Sequence, residues 1–283
     1  MNPVRILKSK LDKSVNWITP FKKGSIETRY VRKKDDYIIG YVSSSIGCNQ
    51  GCKQCFLTQQ KQTEMYHVTP NMFADQIKLV IDHYKNNDDD GLANRININF
   101  MARGDAFVNK HIVNTYPEVY DAISKPCKEA NLNPKMNIST IMPYTVKYRT
   151  LQSIFKDRPA HLYYSLYSIN DEYRRKWMPG SIDWKLALDK IKDYQDNGGE
   201  IVTFHWAFIE GENDKLEDVL KMAEILKEYK FNAKFNLVRY NNHNNLPYKE
   251  TSIEKMNELF KIVNESLVQY KIYYDFPKIH LQF

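Results

Sequence analysis

Three of the four cysteines lie within eight residues of one another, at Cys48, Cys52 and Cys55. Their spacing is C-x3-C-x2-C, in a segment rich in Gly, Asn, Gln and Lys. Three thiolates on one loop can hold three irons of a 4Fe–4S cube, which leaves the fourth iron without a protein ligand. A small molecule can then bind this iron directly. The spacing therefore predicts a cluster site with Cys48, Cys52 and Cys55 as its metal ligands.

Two other interpretations of this loop remain open. A structural zinc ion usually takes four ligands in paired Cys or His spacing, and the next candidate, His67, lies twelve residues beyond the third cysteine and fits no such pattern. The three cysteines could also be incidental. A disulfide framework would spread an even number of cysteines along a small secreted chain, so the clustering indicates a reducing compartment instead. Cys127 stands alone, and we expect it to be a structural or surface thiol on a helix.

Alternating strand-like and helix-like segments must position this loop. The first predicted strand, 37–45, leads directly into the cysteines, and a Thr-Pro pair then starts a helix at residue 70. Further strands are predicted at 95–101, 135–140, 161–168, 200–209 and 234–240, with helices at 116–130, 146–155, 184–197 and 216–229, a final helix near 253–267 and a short tail strand at 271–274. Six such units indicate parallel strands in either a doubly wound sheet or an incomplete barrel. Both folds collect chemistry at the carboxyl ends of their strands.

Composition and charge narrow the class of protein. The 283 residues are 42% hydrophobic and include 20 Tyr and 13 Phe, which is ample for a buried core. We expect a cytoplasmic protein with no membrane partner, because no apolar run reaches 18 residues and the N-terminus lacks the apolar stretch of a signal peptide. The net charge is +7, and ten basic residues against two acidic ones fall within the first 34 positions. We therefore divide the chain into a basic segment, 1–36, and a barrel domain, 37–283; the basic segment could contact phosphates or be a solvated surface.

The cysteine loop resembles that of the radical S-adenosylmethionine (SAM) superfamily. From about residue 37 onwards the chain resembles the RNA adenosine methyltransferases of the RlmN/Cfr type. Residues 42–48, V-S-S-S-I-G-C, resemble that family's V-S-S-Q-V-G-C, and residues 104–109, G-D-A-F-V-N, resemble its G-E-P-L-L-N. Shorter matches occur at 139–140, 165–171, 178–179, 211–214 and 236–241. The resemblance implies a partial (β/α)6 TIM-like barrel with a 4Fe–4S cluster. It also implies that SAM chelates the open iron and is reductively cleaved to methionine and a 5′-deoxyadenosyl radical.

The same resemblance implies which residues bind SAM. They follow the family's motifs at the strand ends and are Gly104, Asp105, Ser139, Ser165, Leu166, Tyr167 and Asn241. Asp105 replaces a family Glu and has a shorter reach toward the SAM ammonium. Gln54 stands where the superfamily usually has an aromatic residue before its third cysteine.

The chain departs from the family at both cysteines that carry out methyl transfer. Tyr41 stands where the family has the cysteine that resolves the covalent adduct, seven residues before the first cluster cysteine. If Gln282 aligns with the glutamine that ends the family's A-C-G-Q-L motif, His280 replaces the methyl-carrying cysteine. His205 replaces a family Glu and is either a substrate contact or a histidine with a local hydrogen bond. The catalytic residue is thus unassigned, and Tyr41, His205 and His280 are its candidates.

Three functional hypotheses follow from the resemblance. The first is a radical SAM enzyme acting on a nucleobase or nucleotide, free or in nucleic acid, with a reductase or a flavodoxin-type protein as electron donor. The second is an adenosine C-methyltransferase of ribosomal or transfer RNA with an altered methyl carrier. The third is a non-catalytic regulator that binds SAM or RNA. Intact cluster cysteines favour the first two, since a regulator has no need of them.

Overall fold

Ten strands form one sheet in which their spatial order is the same as their order along the chain. The computed structural model describes residues 3–21, 23–87, 92–242, 246–267 and 271–274. The strands are β1 (Arg5–Lys8), β2 (Val15–Phe21), β3 (Gly24–Lys34), β4 (Tyr37–Tyr41), β5 (Arg95–Phe100), β6 (Asn133–Thr140), β7 (His161–Ser165), β8 (Val202–Trp206), β9 (Ala233–Leu237) and β10 (Lys271–Tyr274). The helices are α1 (Phe56–Gln59), α2 (Pro70–Asn87), α3 (Lys110–Glu129), α4 (Leu151–Phe155), α5 (Asp171–Trp177), α6 (Trp184–Asp196), α7 (Leu216–Tyr229) and α8 (Ile253–Ser266).

The strands from β4 to β10 are parallel, and each is hydrogen-bonded to the next strand along the chain. A doubly wound sheet reverses its strand order at a switch point, whereas a barrel adds its strands in sequence. The consecutive order therefore confirms the incomplete TIM-like barrel and excludes the doubly wound alternative. The tail strand predicted at 271–274 is present as β10, so the parallel part has seven strands rather than six.

The basic N-terminal segment carries three strands that the sequence analysis did not assign. β1, β2, β3 and β4 pair antiparallel in chain order, and the predicted division at residue 36 falls in the turn between the paired strands β3 and β4. One face of this antiparallel part packs on α2, where the rings of Trp17 and Tyr30 lie 5.4 and 4.8 Å from the His83 ring. Side chains alternate between the two faces of β3. Ile26, Thr28 and Tyr30 are buried on the face that packs on α2, and the charged residues between them lie on the opposite face.

The helices cover the outer face of the sheet and form the main apolar core with it. In α2 the buried residues Phe73, Ile77, Val80 and Ile81 recur at helical spacing. Gly40 of β4 lets this helix approach closely, because a Cβ there would lie only 3.2 Å from the Ile77 Cδ1. The short helix α5 was not predicted; the side chain of Asn170 caps it by accepting hydrogen bonds from the Glu172 and Tyr173 amides. No helix among the described residues is long and apolar enough to cross a membrane.

The inner face of the sheet is polar along one row of side chains. The backbone pairing places Asn16, Arg29, Tyr41, Asn99, Asn137 and His161 directly beside one another on consecutive strands. Within the row Asn137 Nδ2 donates to Asn99 Oδ1 over 2.7 Å, and His161 Nε2 lies 2.9 Å from Thr203 Oγ1. Burial and the nearby Lys135 lower the pKa of His161 to about 3, so this histidine is neutral at pH 7. The row is thus a layer of hydrogen-bonding groups rather than a hydrophobic barrel core.

Asn109 joins α3 to the cysteine loop, and its replacement tests this connection. Its Oδ1 accepts from the His111 and Ile112 amides, and its Nδ2 donates to the carbonyls of Ser44 and Val68 at 2.7 and 2.8 Å. We expect Asn109→Ala to lower the free energy of unfolding by about 3 kcal/mol, since it removes a helix cap and two buried hydrogen bonds to the Ser44 and Val68 carbonyls.

Asp183 provides the matched control, because it caps α6 from an exposed position. Asp183→Ala should cost only about 1 kcal/mol. Urea unfolding of the purified proteins measures both values, and equal losses would show that the Asn109 amide contributes nothing beyond its cap.

Candidate functional site

The three clustered cysteines line one cavity at the carboxyl ends of the parallel strands. Cys48 is buried, Cys52 and Cys55 are half-buried, and all three border a cavity of about 780 Å³. Gly51 has a φ of +69°, which lets the chain turn between the first and second cysteine. The Cys55 amide donates to the Cys52 carbonyl over 3.0 Å and closes the following turn. The loop therefore presents three thiols to the same space, as its spacing predicts.

The donor set of this loop fits an iron–sulfur cluster. Burial is the main cause that raises the pKa of Cys48 to about 11, and the charges of Asp105 and Cys55 raise it further. Burial and the two neighbouring cysteines also raise the pKa of Cys52 well above its usual value. Cys48 and Cys52 therefore need a nearby cationic group to bind as thiolates, and bound iron supplies it.

Among the described residues, no three His, Cys, Asp or Glu side chains converge at the distances that a single metal ion requires. A four-iron cube instead binds its thiolates at three separate corners.

The cysteine loop is held against the loop that follows β5. The amides of Ser44 and Ser45 both donate to the Arg103 carbonyl, at 2.7 and 3.3 Å. Gly104 has a φ of +81°, and a Cβ there would lie 2.1 Å from Ser45 Oγ. These contacts fix the position of the cysteine loop relative to the predicted SAM-binding segment.

The opposite side of the cysteine loop rests on the segment after α5. The Gly180 amide donates to the Gln50 carbonyl over 3.2 Å, and a Cβ at Gly180 would overlap Gln50. The Lys53 amide likewise donates to the Trp177 carbonyl over 2.9 Å. The loop is thus clamped between the segments that follow β5 and α5.

Asp105 lines the cavity and is bound by three protein donors. Its carboxylate accepts from the Phe107 amide at 2.9 Å, the Thr140 hydroxyl at 3.0 Å and the Ile141 amide at 2.8 Å. Burial raises its pKa to about 6, and these hydrogen bonds oppose the rise. Asp105 therefore joins the ends of β5 and β6 as well as facing the cavity where the sequence places the SAM ammonium.

The structure brings most of the other predicted SAM ligands to the same cavity. Gly104, Ser139, Ser165 and Tyr167 line it together with the cysteines. Tyr167 hydrogen-bonds to Ser165, and burial is the main cause that raises the pKa of Tyr167 to about 12. Leu166 is not among the residues that line the cavity: its side chain is fully buried, and its amide donates to the His205 carbonyl over 3.1 Å.

Asn241 lies in a second, smaller space beside the main cavity. This space of about 190 Å³ is bordered by Asn241, Arg239 and Tyr240, and it shares Gln54 and Tyr167 with the main cavity. Asn241 is exposed in the structure. The predicted SAM contact of Asn241 thus lies beside Gln54 and Tyr167, outside the main cavity.

Tyr41 and His205, the two catalytic candidates among the described residues, lie on separate strands. Tyr41 ends β4 between Arg29 and Asn99, and His205 lies in β8 with its Nε2 3.3 Å from Asn236 Nδ2. The ring of His205 also lies 5.1 Å from the Tyr163 ring. His280 falls outside the described residues. Cys127 is fully buried on α3, as predicted for a structural thiol, and its Sγ lies 3.2 Å from the Ile123 carbonyl oxygen.

Two residues around the site have roles that sequence reasoning did not assign. Arg103 is mostly buried and bound within the protein, since it donates to Gln62 at 2.7 Å and pairs with Glu27 at 3.3 Å. Asn213, in a predicted family motif, is fully buried and binds the Tyr167 carbonyl, the Ala207 carbonyl and the Ile209 amide. Through Asn213 this motif holds together the loops that follow β7 and β8. The spacing of the motif alone does not reveal this role.

Comparison with known proteins agrees with this site. The radical SAM superfamily model matches residues 42–224, which include the cysteine loop and the strand ends described above. The chain therefore belongs to the radical SAM superfamily. Enzymes of this superfamily use a 4Fe–4S cluster and SAM.

The relatives of this chain include RNA methyltransferases. The dual-specificity RNA methyltransferase RlmN of Lawsonia intracellularis is 27% identical over 78% of this chain and 59% of its own length. A protein of the same name from Campylobacter jejuni is 27% identical over 84% of this chain and 63% of its own length. The chain thus spans about three fifths of these relatives. A radical SAM methyltransferase from Sphaerobacter thermophilus shares the fold, with a TM-score of 0.74 at 19% identity over 96% of this chain and 76% of its own.

Two glycines with almost the same backbone angle test the contact between the two loops. Gly104 (φ +81°) lies against Ser45, whereas a Cβ at Gly198 (φ +83°) would meet no other atom within 4 Å. We expect Gly104→Ala to destabilise the fold by about 3 kcal/mol or more and to impair cluster binding, because backbone strain and a clash add. Gly198→Ala should cost about 1 kcal/mol from strain alone.

Thermal unfolding and iron content after anaerobic reconstitution check this difference. Equal destabilisation by the two alanines would contradict a tight contact at Ser45.

Proposed function

We propose that the cavity at the strand ends binds a 4Fe–4S cluster through Cys48, Cys52 and Cys55, and SAM beside it. The observation that carries this proposal is that the three thiols border the same cavity as Asp105, Ser139 and Ser165. The cluster and SAM, when bound, supply a one-electron cleavage that yields methionine and a 5′-deoxyadenosyl radical. The protein's own residues would bind, orient and shield these groups.

The polar residues of the cavity have complementary tasks. Asp105 keeps acceptor capacity on its Oδ2, which takes only the Ile141 amide, and so can receive a hydrogen bond from an ammonium group. The hydroxyls of Ser139 and Ser165 can donate to carboxylate or ribose oxygens. Gly104 allows the backbone to approach closely, since it has no side chain between the two loops. We assign Tyr167 and Asn241 to the far side of the bound SAM.

The substrate we favour is a nucleobase or nucleotide, free or in nucleic acid, in the cytoplasm. The RlmN relatives support this choice at 27% identity, as does the basic residue Arg5 of β1, which borders the same cavity. A reductase or a flavodoxin-type protein would deliver the electron. Adenosine methylation in RNA with an altered methyl carrier is the second candidate, supported by the same relatives. Tyr41, His205 and His280 are then the residues to test as carriers or substrate contacts.

Cysteine variants test the cluster assignment directly. After anaerobic reconstitution we expect about four irons per chain in the unaltered protein and SAM cleavage on reduction with dithionite. Cys48→Ala, Cys52→Ala and Cys55→Ala should each lose most of the iron and lower 5′-deoxyadenosine formation by roughly 100-fold or more, because each removes one corner ligand. Iron and sulfide analysis, electron paramagnetic resonance and chromatography measure these quantities.

Cys127→Ala is the matched control, since it also removes a buried thiol but one that lies on α3. It should keep both the iron and the cleavage activity. Zinc in place of iron and sulfide would favour the zinc site instead, and a loaded cluster without SAM cleavage would favour the regulator.

Isotope transfer tests the substrate class. We expect a holoenzyme supplied with SAM and perdeuterated RNA or perdeuterated nucleotides to form 5′-deoxyadenosine one mass unit heavier, because the radical abstracts a hydrogen from its substrate. A perdeuterated peptide digest is the control and should leave the product mass unchanged. Methyladenosine carrying a label from methyl-labelled SAM would instead identify the RNA methyltransferase, and label from peptides alone would contradict both candidates.

A further inference from the structure

The cavity that holds the cysteines extends to the N-terminal hairpin. Its far side is bordered by Arg5 and Leu7 of β1 and by Asn16 and Ile18 of β2. We call these four residues the hairpin wall. Backbone pairing sets Arg5 opposite Ile18 and Leu7 opposite Asn16, so the four side chains share one face of the hairpin. The hairpin wall therefore faces the same cavity as the cysteine loop, and it contains none of the predicted SAM ligands.

Asn16 offers this cavity a hydrogen-bond acceptor of fixed orientation. Its Nδ2 donates to Glu27 Oε1 over 2.6 Å, and a carboxylate can only accept, so the amide oxygen must point away from Glu27. The residue is only 5% exposed, and its Oδ1 has no hydrogen-bond partner. Buried acceptors are normally satisfied, and one left open beside a cavity indicates a ligand that donates an N–H or O–H group.

The rest of the wall supplies an apolar surface and one positive charge. Leu7 and Ile18 are half-buried and diagonal to each other across the hairpin. Glu27 also borders the cavity, but its charge is balanced by Arg103, which lies 3.3 Å away. Arg5 is exposed at the rim of the wall. The combination suits a planar heterocycle with an N–H donor and an attached anionic group.

We propose that the hairpin wall is the substrate-recognition surface and that it binds a nucleotide. The base lies against Leu7 and Ile18, an N–H group of the base donates to Asn16 Oδ1, and a phosphate meets Arg5. This proposal rests on the proposed function, since it places the substrate beside the SAM-binding part of the same cavity. The cavity of about 780 Å³ lies toward the upper end of the range for small-molecule sites.

Two variants on the same strand distinguish specific binding at the hairpin wall from nonspecific attraction to basic charge. Arg5 and Lys8 are both exposed cations on β1, but β-strand alternation places Lys8 on the opposite face. The probes are the four ribonucleosides, their 5′-monophosphates and a five-nucleotide single-stranded RNA, titrated onto the anaerobic holoenzyme with SAM present. Arg5→Ala should weaken binding of the best monophosphate about 5-fold and leave its nucleoside unchanged, since only the phosphate loses a partner. Lys8→Ala should change neither affinity.

Asn16→Leu, which keeps the side-chain size, should weaken the best nucleoside and its monophosphate alike, by about 10-fold. Selective binding of monophosphates would show that the substrate is a free nucleotide. Binding of the RNA alone, with the same response to Arg5→Ala, would show that the substrate is nucleic acid. Either result supports the hairpin wall as the recognition surface. Equal effects of Arg5→Ala and Lys8→Ala, or no binding of any probe, would overturn it. SAM cleavage by the unaltered enzyme is measured in parallel, so a failure of the proposed function is recognised separately.

Discussion

The contact between the cysteine loop and the loop after β5 is the constraint on which the site depends. Two amides of the cysteine loop share the Arg103 carbonyl, and the missing side chain at Gly104 brings the two backbones together. The same segment carries Asp105, whose carboxylate reaches across to the end of β6. Three consecutive strand ends are thus fixed relative to one another, so the cysteines and the polar residues facing them have one geometry.

Much of the barrel was predictable because parallel strands buried under helices leave a clear pattern. The pattern of apolar runs and amphipathic helices predicted α7 and β10 with their observed ends, β5 and α6 within one residue, and the observed start of α2. The three N-terminal strands were not predicted because residues 1–36 were interpreted from their positive charge alone. Their signal is the alternation of apolar and polar residues in β3, which is typical of an antiparallel sheet with only one covered face. The short helix α5 was missed since its main signal is the cap at Asn170.

The candidate site was predictable where a residue acts through its own side chain at a strand end. The cysteines, Asp105, Ser139 and Ser165 follow that rule and share one cavity. Sequence could not show that Asp105 is already bound by three donors, because two of them, the Thr140 hydroxyl and the Ile141 amide, come from a distant segment. Nor could it show that Asn213 braces the Tyr167 carbonyl, since an Asn in a turn motif looks the same whether it binds a ligand or the backbone.

The match between strand order and chain order has a consequence for the growing polypeptide. Each described strand pairs with the one made just before it, so every new strand meets a finished edge as it leaves the ribosome. No pairing must wait for a distant segment, which limits the time that an open edge is available for aggregation. The segments that carry the cysteines and Asp105 are synthesised before the strands from β6 to β10. Iron delivery could therefore begin on a nascent chain whose last strands have not yet been translated.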